Sequence, residues 1–170
     1  LVCGAGNENE EDVEKLVELY SMAGCNIFDV SANLDVVKAA KRGLKKAGIL
    51  ENRFICVSVG IKGDSHLNKA NIDLKKCKGC LKCFSICPQS AISSKCVVDE
   101  TKCIGCSKCQ RICIADAIEM KSHPTDLSIV LPKIVKEGVD CLEFHAISND
   151  ENDVDEKWKF LNSLYNGVLS

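Results

Sequence analysis

The chain has 170 residues with 22 basic and 24 acidic side chains, a net charge of -2. That balance excludes bulk electrostatic attraction to nucleic acid or to an anionic membrane as the basis of function. With 46% hydrophobic residues and only 3 prolines and 11 glycines, the chain can bury a core and is neither disordered nor collagen-like.

In chain order, residues 1–4 are a short apolar run that reads as a first strand. Residues 7–12 are polar and acidic, suited to a helix start, and Val13, Leu16, Val17 and Tyr20 follow at three-and-four spacing up to Gly24. Residues 25–30 form a second apolar run. Asn33 can cap a helix carrying Leu34, Val36, Val37, Ala40 and Leu44, which Gly48 closes. Residues 54–59 read as a third strand, rich in β-branched residues and ending at Gly60. The pattern breaks over residues 63–122. It resumes with a helix of Leu127, Ile129, Val130, Ile134 and Val135, with Pro132 in its first turns or at a kink, then a strand at 139–147 and a helix from 155 to 165. Strands separated by helices imply an α/β fold with a parallel sheet and right-handed crossovers. The intervening cysteine-rich segment is then an insertion.

That insertion contains a tandem repeat. Residues 76–92 (KCKGCLKCFSICPQSAI) align with residues 102–118 (KCIGCSKCQRICIADAI) at an offset of 26, with ten of seventeen positions identical. Residues 91–96 and 97–100 read as short strands pairing the halves around a pseudo-twofold axis. Each copy is CxxCxxCxxxC. Three thiolates spaced in this way wrap one face of an iron cube, and the fourth cysteine is carried away to the other cube. The implied ligand sets are Cys77, Cys80, Cys83 and Cys113 for one [4Fe-4S] cluster, and Cys103, Cys106, Cys109 and Cys87 for the second. Gly79 and Gly105 let the loop backbone approach, so that amide N–H groups can point at sulfur.

Two other uses of the 13 cysteines compete. A disulfide scaffold is disfavoured by their odd number and clustering. Zinc accepts four thiolates, but its modules use two-cysteine pairs across a long spacer rather than three-plus-one runs. The remaining Cys3, Cys25, Cys56, Cys96 and Cys141 read as buried filler, because a free thiol packs as a small hydrophobe.

From residue 74 to 121, eight lysines and Arg111 face four acidic residues, a surplus of five positive charges. It would moderate the field of two anionic clusters and favour an acidic redox protein or oxidoreductase subunit as partner. The alternative is a solvated basic face without a partner.

Parallel strands buried on both faces should be apolar, so polar residues within them need a reason. Asp29 and Ser31, Ser58, and Glu143 with His145 can converge at the carboxyl end of the sheet, where ligand sites of α/β folds collect. They can equally be strand-end residues satisfied locally. A loop with Asp64 and His66 could line the same mouth. No GxGxxG follows the first strand, and no Walker sequence, HExxH or nucleophile elbow is present. Flavin at Asp29, Glu143 and His145 therefore has no motif behind it.

Residues 71–121 resemble the bacterial-type two-cluster ferredoxin domain, with one departure: Ile114 follows Cys113, where that pattern usually has proline. LVCGAG, AGCNIFDVSANLDVVKAAKRGL, FICVSVGIKGDSHLNKANID and GVDCLEFHAIS, set around this motif, together resemble the cyanobacterial and plastid light-dependent period (LdpA) family. That resemblance implies clusters set in an incomplete TIM-like barrel and a link to redox sensing as input to a circadian clock.

The expectation is a partial TIM-like parallel β/α domain (residues 1–70 and 122–170) carrying an inserted 2[4Fe-4S] ferredoxin-like α+β module (71–121). Its function would be electron transfer or redox sensing. The alternative is the electron-feeding part of a flavin- or other cofactor-dependent oxidoreductase. No apolar run approaches the roughly 18 residues that cross a bilayer, and the amino end lacks signal-peptide character. The expected compartment is reducing, cytoplasm or organelle stroma, without nucleic acid or membrane insertion. The chain opens without methionine, as a processed or incomplete chain does, and an incomplete barrel edge would invite oligomerisation.

Overall fold

In the computed structural model, which describes residues 1–3, 7–60, 68–122, 126–146 and 150–170, the elements run α1 (Glu10–Met22), β1 (Ile27–Ser31), α2 (Leu34–Ala47), β2 (Phe54–Gly60), β3 (Asn68–Ile72), α3 (Lys82–Ile86), α4 (Lys108–Ile112), β4 (Ile118–Ser122), α5 (Leu127–Glu137), β5 (Cys141–His145), α6 (Glu151–Leu164) and β6 (Val168–Leu169). Each long helix starts on a polar cap. Asn9, Asn33, Asp126 and Asp150 accept backbone N–H bonds from Asp12, Asp35, Ser128 and Asn152. The cap at Asp150 starts the last helix at Glu151, earlier than the expected residue 155. Pro132 lies inside α5, which continues through it because Leu131 and Ile134 on either side are fully buried.

Four strands form one sheet in the order β1-β2-β5-β6, and every pair is parallel. Alternation sends Phe28 and Val30, Ile55, Val57 and Val59, and Leu142 to one face, where they share a core with side chains from all four long helices, including Val17, Val37, Leu131 and Leu161. Helices on one face of a parallel sheet leave the other to a different set of residues. There, Asp29 and Ser31, Cys56 and Ser58, and Cys141, Glu143 and His145 occupy the alternate positions.

The two ends of this sheet are built differently from its middle. The apolar run at residues 1–4 is not a full strand among the described residues. It contributes one parallel bridge, Val2 to Asp29, with 2.9 Å backbone bonds from Cys3 N to Asp29 O and from Asp29 N to Leu1 O. The outer edge of β5 is taken by β6, a two-residue strand too short to announce itself by alternation, and Ser170 extends the pairing with backbone bonds to Leu142 and Phe144.

The cysteine-rich segment makes its own small sheet, in which β3 pairs antiparallel with β4 from Asn68–Ser122 to Ile72–Ile118. The expected strands at 91–96 and 97–100 shrink to a single bridge, Ile92 to Val98. Under the 26-residue offset this bridge is the counterpart of the Ile72–Ile118 pair. Residues 92 and 98 lie so close in sequence that the intervening chain is spent on a tight turn, with bonds from Ser93 N to Val97 O and Cys96 N to Ser93 O. On the other side of the axis, the two strands come from opposite ends of the segment and can pair along their length. Ala70, Ala91, Ile92 and Ile118 form this segment's apolar core with Cys83, Cys103 and Cys109.

Candidate metal centre

The two repeats have the same backbone. Positive φ recurs at Gly79 and Gly105, Leu81 and Ser107, and Ser90 and Asp116, each pair 26 residues apart. Hydrogen bonds repeat too: Cys77 N bonds Asp73 O as Cys103 N bonds Asp99 O, and Asp73 N to Ala117 O mirrors Asp99 N to Ala91 O. The last pair runs between repeats in opposite senses, which makes the relation a pseudo-twofold exchange rather than a translation. Leu81 and Ser107 hold left-handed backbone at a cost of about 1–2 kcal/mol each. Each immediately precedes the short helix, α3 or α4, that carries the third cysteine of its run.

Cys77, Cys80 and Cys83 line one pocket together with Cys113 of the other repeat, and the surrounding lining is apolar, including Ile72, Leu81, Ala117 and Ile118. Cys103 and Cys109 are buried, and Cys103 and Cys106 both lie near Cys109. Cys87 packs against the same apolar core as Cys103 and Cys109. The donor chemistry suits an iron–sulfur cube. All thirteen cysteines are free thiols. Backbone N–H groups approach sulfur at Cys77 (from Gly79, 3.5 Å), Cys87 (from Ala91, 3.3 Å), Cys103 (from Ala70, 3.4 Å) and Cys113 (from Ala117, 3.3 Å). Donors aimed at sulfur stabilise the charge a metal-bound thiolate carries. Burial pushes the Cys109 thiol up to about 11, so binding a metal there would release its proton.

A fifth sulfur belongs to the same pocket. Cys96, read from sequence as filler, is buried and lines the space with Cys77, Cys80, Cys83 and Cys113. It lies between the repeated motifs, so spacing gave no sign of it. Sequence reading also missed Lys69, whose side chain is 7% exposed and donates to Cys103 O at 2.8 Å while Glu8 lies 3.4 Å from its ammonium.

The second group of candidates does come together. Ser58 Oγ lies 2.5 Å from Asp29 Oδ1 and 3.1 Å from Glu143 Oε2, and His145 Nε2 is 3.6 Å from Glu143 Oε1. Ligand atoms of Asp29, Cys56 and Glu143 lie within 4.8 Å of one another. Burial raises the Asp29 carboxyl above the usual range, with Ser58 opposing and the charge of Glu143 adding to the rise. Burial also drives the Cys56 thiol far upward, with Cys141 beside it. Asp64 and His66 lie outside the described residues.

Residues 70–93 match the model of the 4Fe-4S binding domain, a span that holds Cys77, Cys80, Cys83 and Cys87. Over 166 residues, 95% of this chain, the sequence is 30% identical to light dependent period A of Synechococcus elongatus. The chain is thus similar to light dependent period A over nearly all of its own length. It is an iron–sulfur protein with redox or electron-transfer character. The alignment covers 47% of that relative, so the chain spans about half its length. No helix among the described residues is long and apolar enough to cross a membrane.

Proposed function

We propose that this chain carries two [4Fe-4S] clusters, held crosswise by Cys77, Cys80, Cys83 and Cys113 and by Cys103, Cys106, Cys109 and Cys87, and that it passes single electrons or senses redox state through them. The observation that carries the reading is the pocket where Cys113 joins three cysteines of the other repeat. A bound cube supplies a one-electron couple. The protein contributes thiolates, backbone donors and a surplus of lysines facing an acidic redox partner. The clusters occupy a module of residues 71–121 inserted between residues 1–70 and 122–170 of a TIM-like β/α arc. Support for that arc is the one-sided helix packing and the all-parallel sheet. An acidic partner and a cytoplasmic or stromal setting belong to the same proposal.

Iron and sulfide analysis of anaerobically purified chain tests it: about eight of each per chain are expected, two cubes of four. Zinc in their place, or about four iron, rejects it. A second reading rests on the meeting of Asp29, Ser58 and Glu143 on one sheet face, with His145 beside Glu143. There the chain would feed electrons to a flavin or another organic cofactor. Titration with flavin under anaerobic conditions should then shift its absorption band, and an unchanged band rejects this reading.

A further inference from the structure

The exchange that relates the two repeats also relates what stands beside them. An offset of 26 carries Cys77 to Cys103 and Ala70 to Cys96. Ala70 sits against Cys103, its N–H 3.4 Å from Sγ, so the matching neighbour of Cys77 is Cys96. That placement is present: Cys96 lines the same pocket as Cys77 and Cys83. At one centre the equivalent neighbour brings a methyl group, and at the other it brings a sulfur. Cys96 is 6% exposed and shares its pocket with Cys77, Cys80, Cys83 and Cys113. Five sulfurs line a space whose cube needs four. The turn that places it holds Cys96 at φ 57, backbone usually given to Gly or Asn.

We propose that Cys96 is a reserve ligand of the first centre, able to take the iron site of Cys77 when that cysteine is displaced or lost. The inference rests on the crossed two-cluster ligation above. In the exchange, an iron–sulfur bond to Cys96 forms as the bond to Cys77 breaks. The thiol proton of Cys96 passes to the departing Cys77 sulfur, and no electron moves. The second centre has no such recourse, because Ala70 brings no sulfur to Cys103. The two centres, equal in their ligand motifs, thus differ in how they tolerate loss of a ligand.

Anaerobic iron and sulfide analysis, with EPR of the dithionite-reduced full chain, tests this in the wild type and in variants. Cys77→Ala should keep about eight iron and both EPR signals, and Cys77→Ala/Cys96→Ala should fall to about four. Cys103→Ala should also fall to about four, and adding Ala70→Cys should restore the loss. Eight iron in the wild type with about four in Cys77→Ala overturns the reserve-ligand role alone. About four iron in the wild type overturns the underlying two-cluster reading. If Cys77→Ala does not accumulate as folded protein, the reciprocal pair decides, and Ala70→Cys adding no iron to Cys103→Ala overturns the proposal.

Discussion

Asp29 lies in the middle of a parallel strand, 8% exposed, where a carboxyl is costly unless hydrogen-bonded or protonated. The Ser58 hydroxyl has one proton and faces two carboxylates, Asp29 and Glu143. Burial therefore raises the Asp29 carboxyl, so the folded chain keeps a proton that the unfolded chain has already released. The sign follows: this group favours folding most below the ordinary aspartate range near pH 4, and the contribution fades as pH rises through the elevated folded value. Asp29→Asn should flatten that part of the pH profile and make the chain relatively more stable at neutral pH, as anaerobic urea unfolding at several pH values would show. A steeper decline in the variant would contradict this account. Under the proposed ligation, Cys113→Ser should mainly damage the first centre although it lies in the second repeat, and Cys106→Ser the second. EPR of each variant reads the difference, and the opposite assignment rejects crossed ligation.

Among the elements, α1 and α2 meet at Gly43. A Cβ built there would lie 2.5 Å from the Glu14 carbonyl oxygen and 3.0 Å from Val17 Cβ, so backbone rather than a flexible side chain blocks it. Glycine in a helix interior ordinarily costs about 1 kcal/mol relative to alanine. Here the close approach of two helices outweighs that preference. Gly43→Ala should destabilise the chain by about 1–3 kcal/mol, measured by chemical unfolding, and a gain in stability would show that the helices can separate without penalty. The salt bridges of Glu14 with Arg42 (2.7 Å) and Lys46 (2.6 Å) span the same pair of helices. Sequence periodicity located α1 and α2 because capping residues and apolar stripes are local. It did not single out Gly43, whose role depends on another helix.

At the scale of the molecule, the cysteine-rich segment is tied to the amino-terminal strand region through a few directed bonds. Glu8 N donates to Thr101 O at 3.0 Å, and Glu8 also pairs with Lys69, whose ammonium reaches Cys103 O. Lys69→Met removes a buried cation beside Cys103. Loss of a charged hydrogen bond should cost about 1.5–3 kcal/mol, and loss of positive charge should lower the potential of the centre we propose Cys103 to hold. An anaerobic EPR-monitored redox titration checks the direction, and an unchanged or raised potential would reject an electrostatic role for Lys69.

The long helices, the parallel strands β1, β2 and β5, the iron–sulfur character and the relation to light dependent period A were all legible in the chain, because capping, periodicity and cysteine spacing act over a few residues. The β3–β4 ladder, Lys69 beside Cys103 and Cys96 beside Cys77 were not. Each depends on residues brought together from opposite ends of the repeat segment, or across its pseudo-twofold axis. Two like motifs on one chain dictate similar loops, but only their packing against one another determines that a methyl group lies beside Cys103 and a thiol shares the pocket of Cys77.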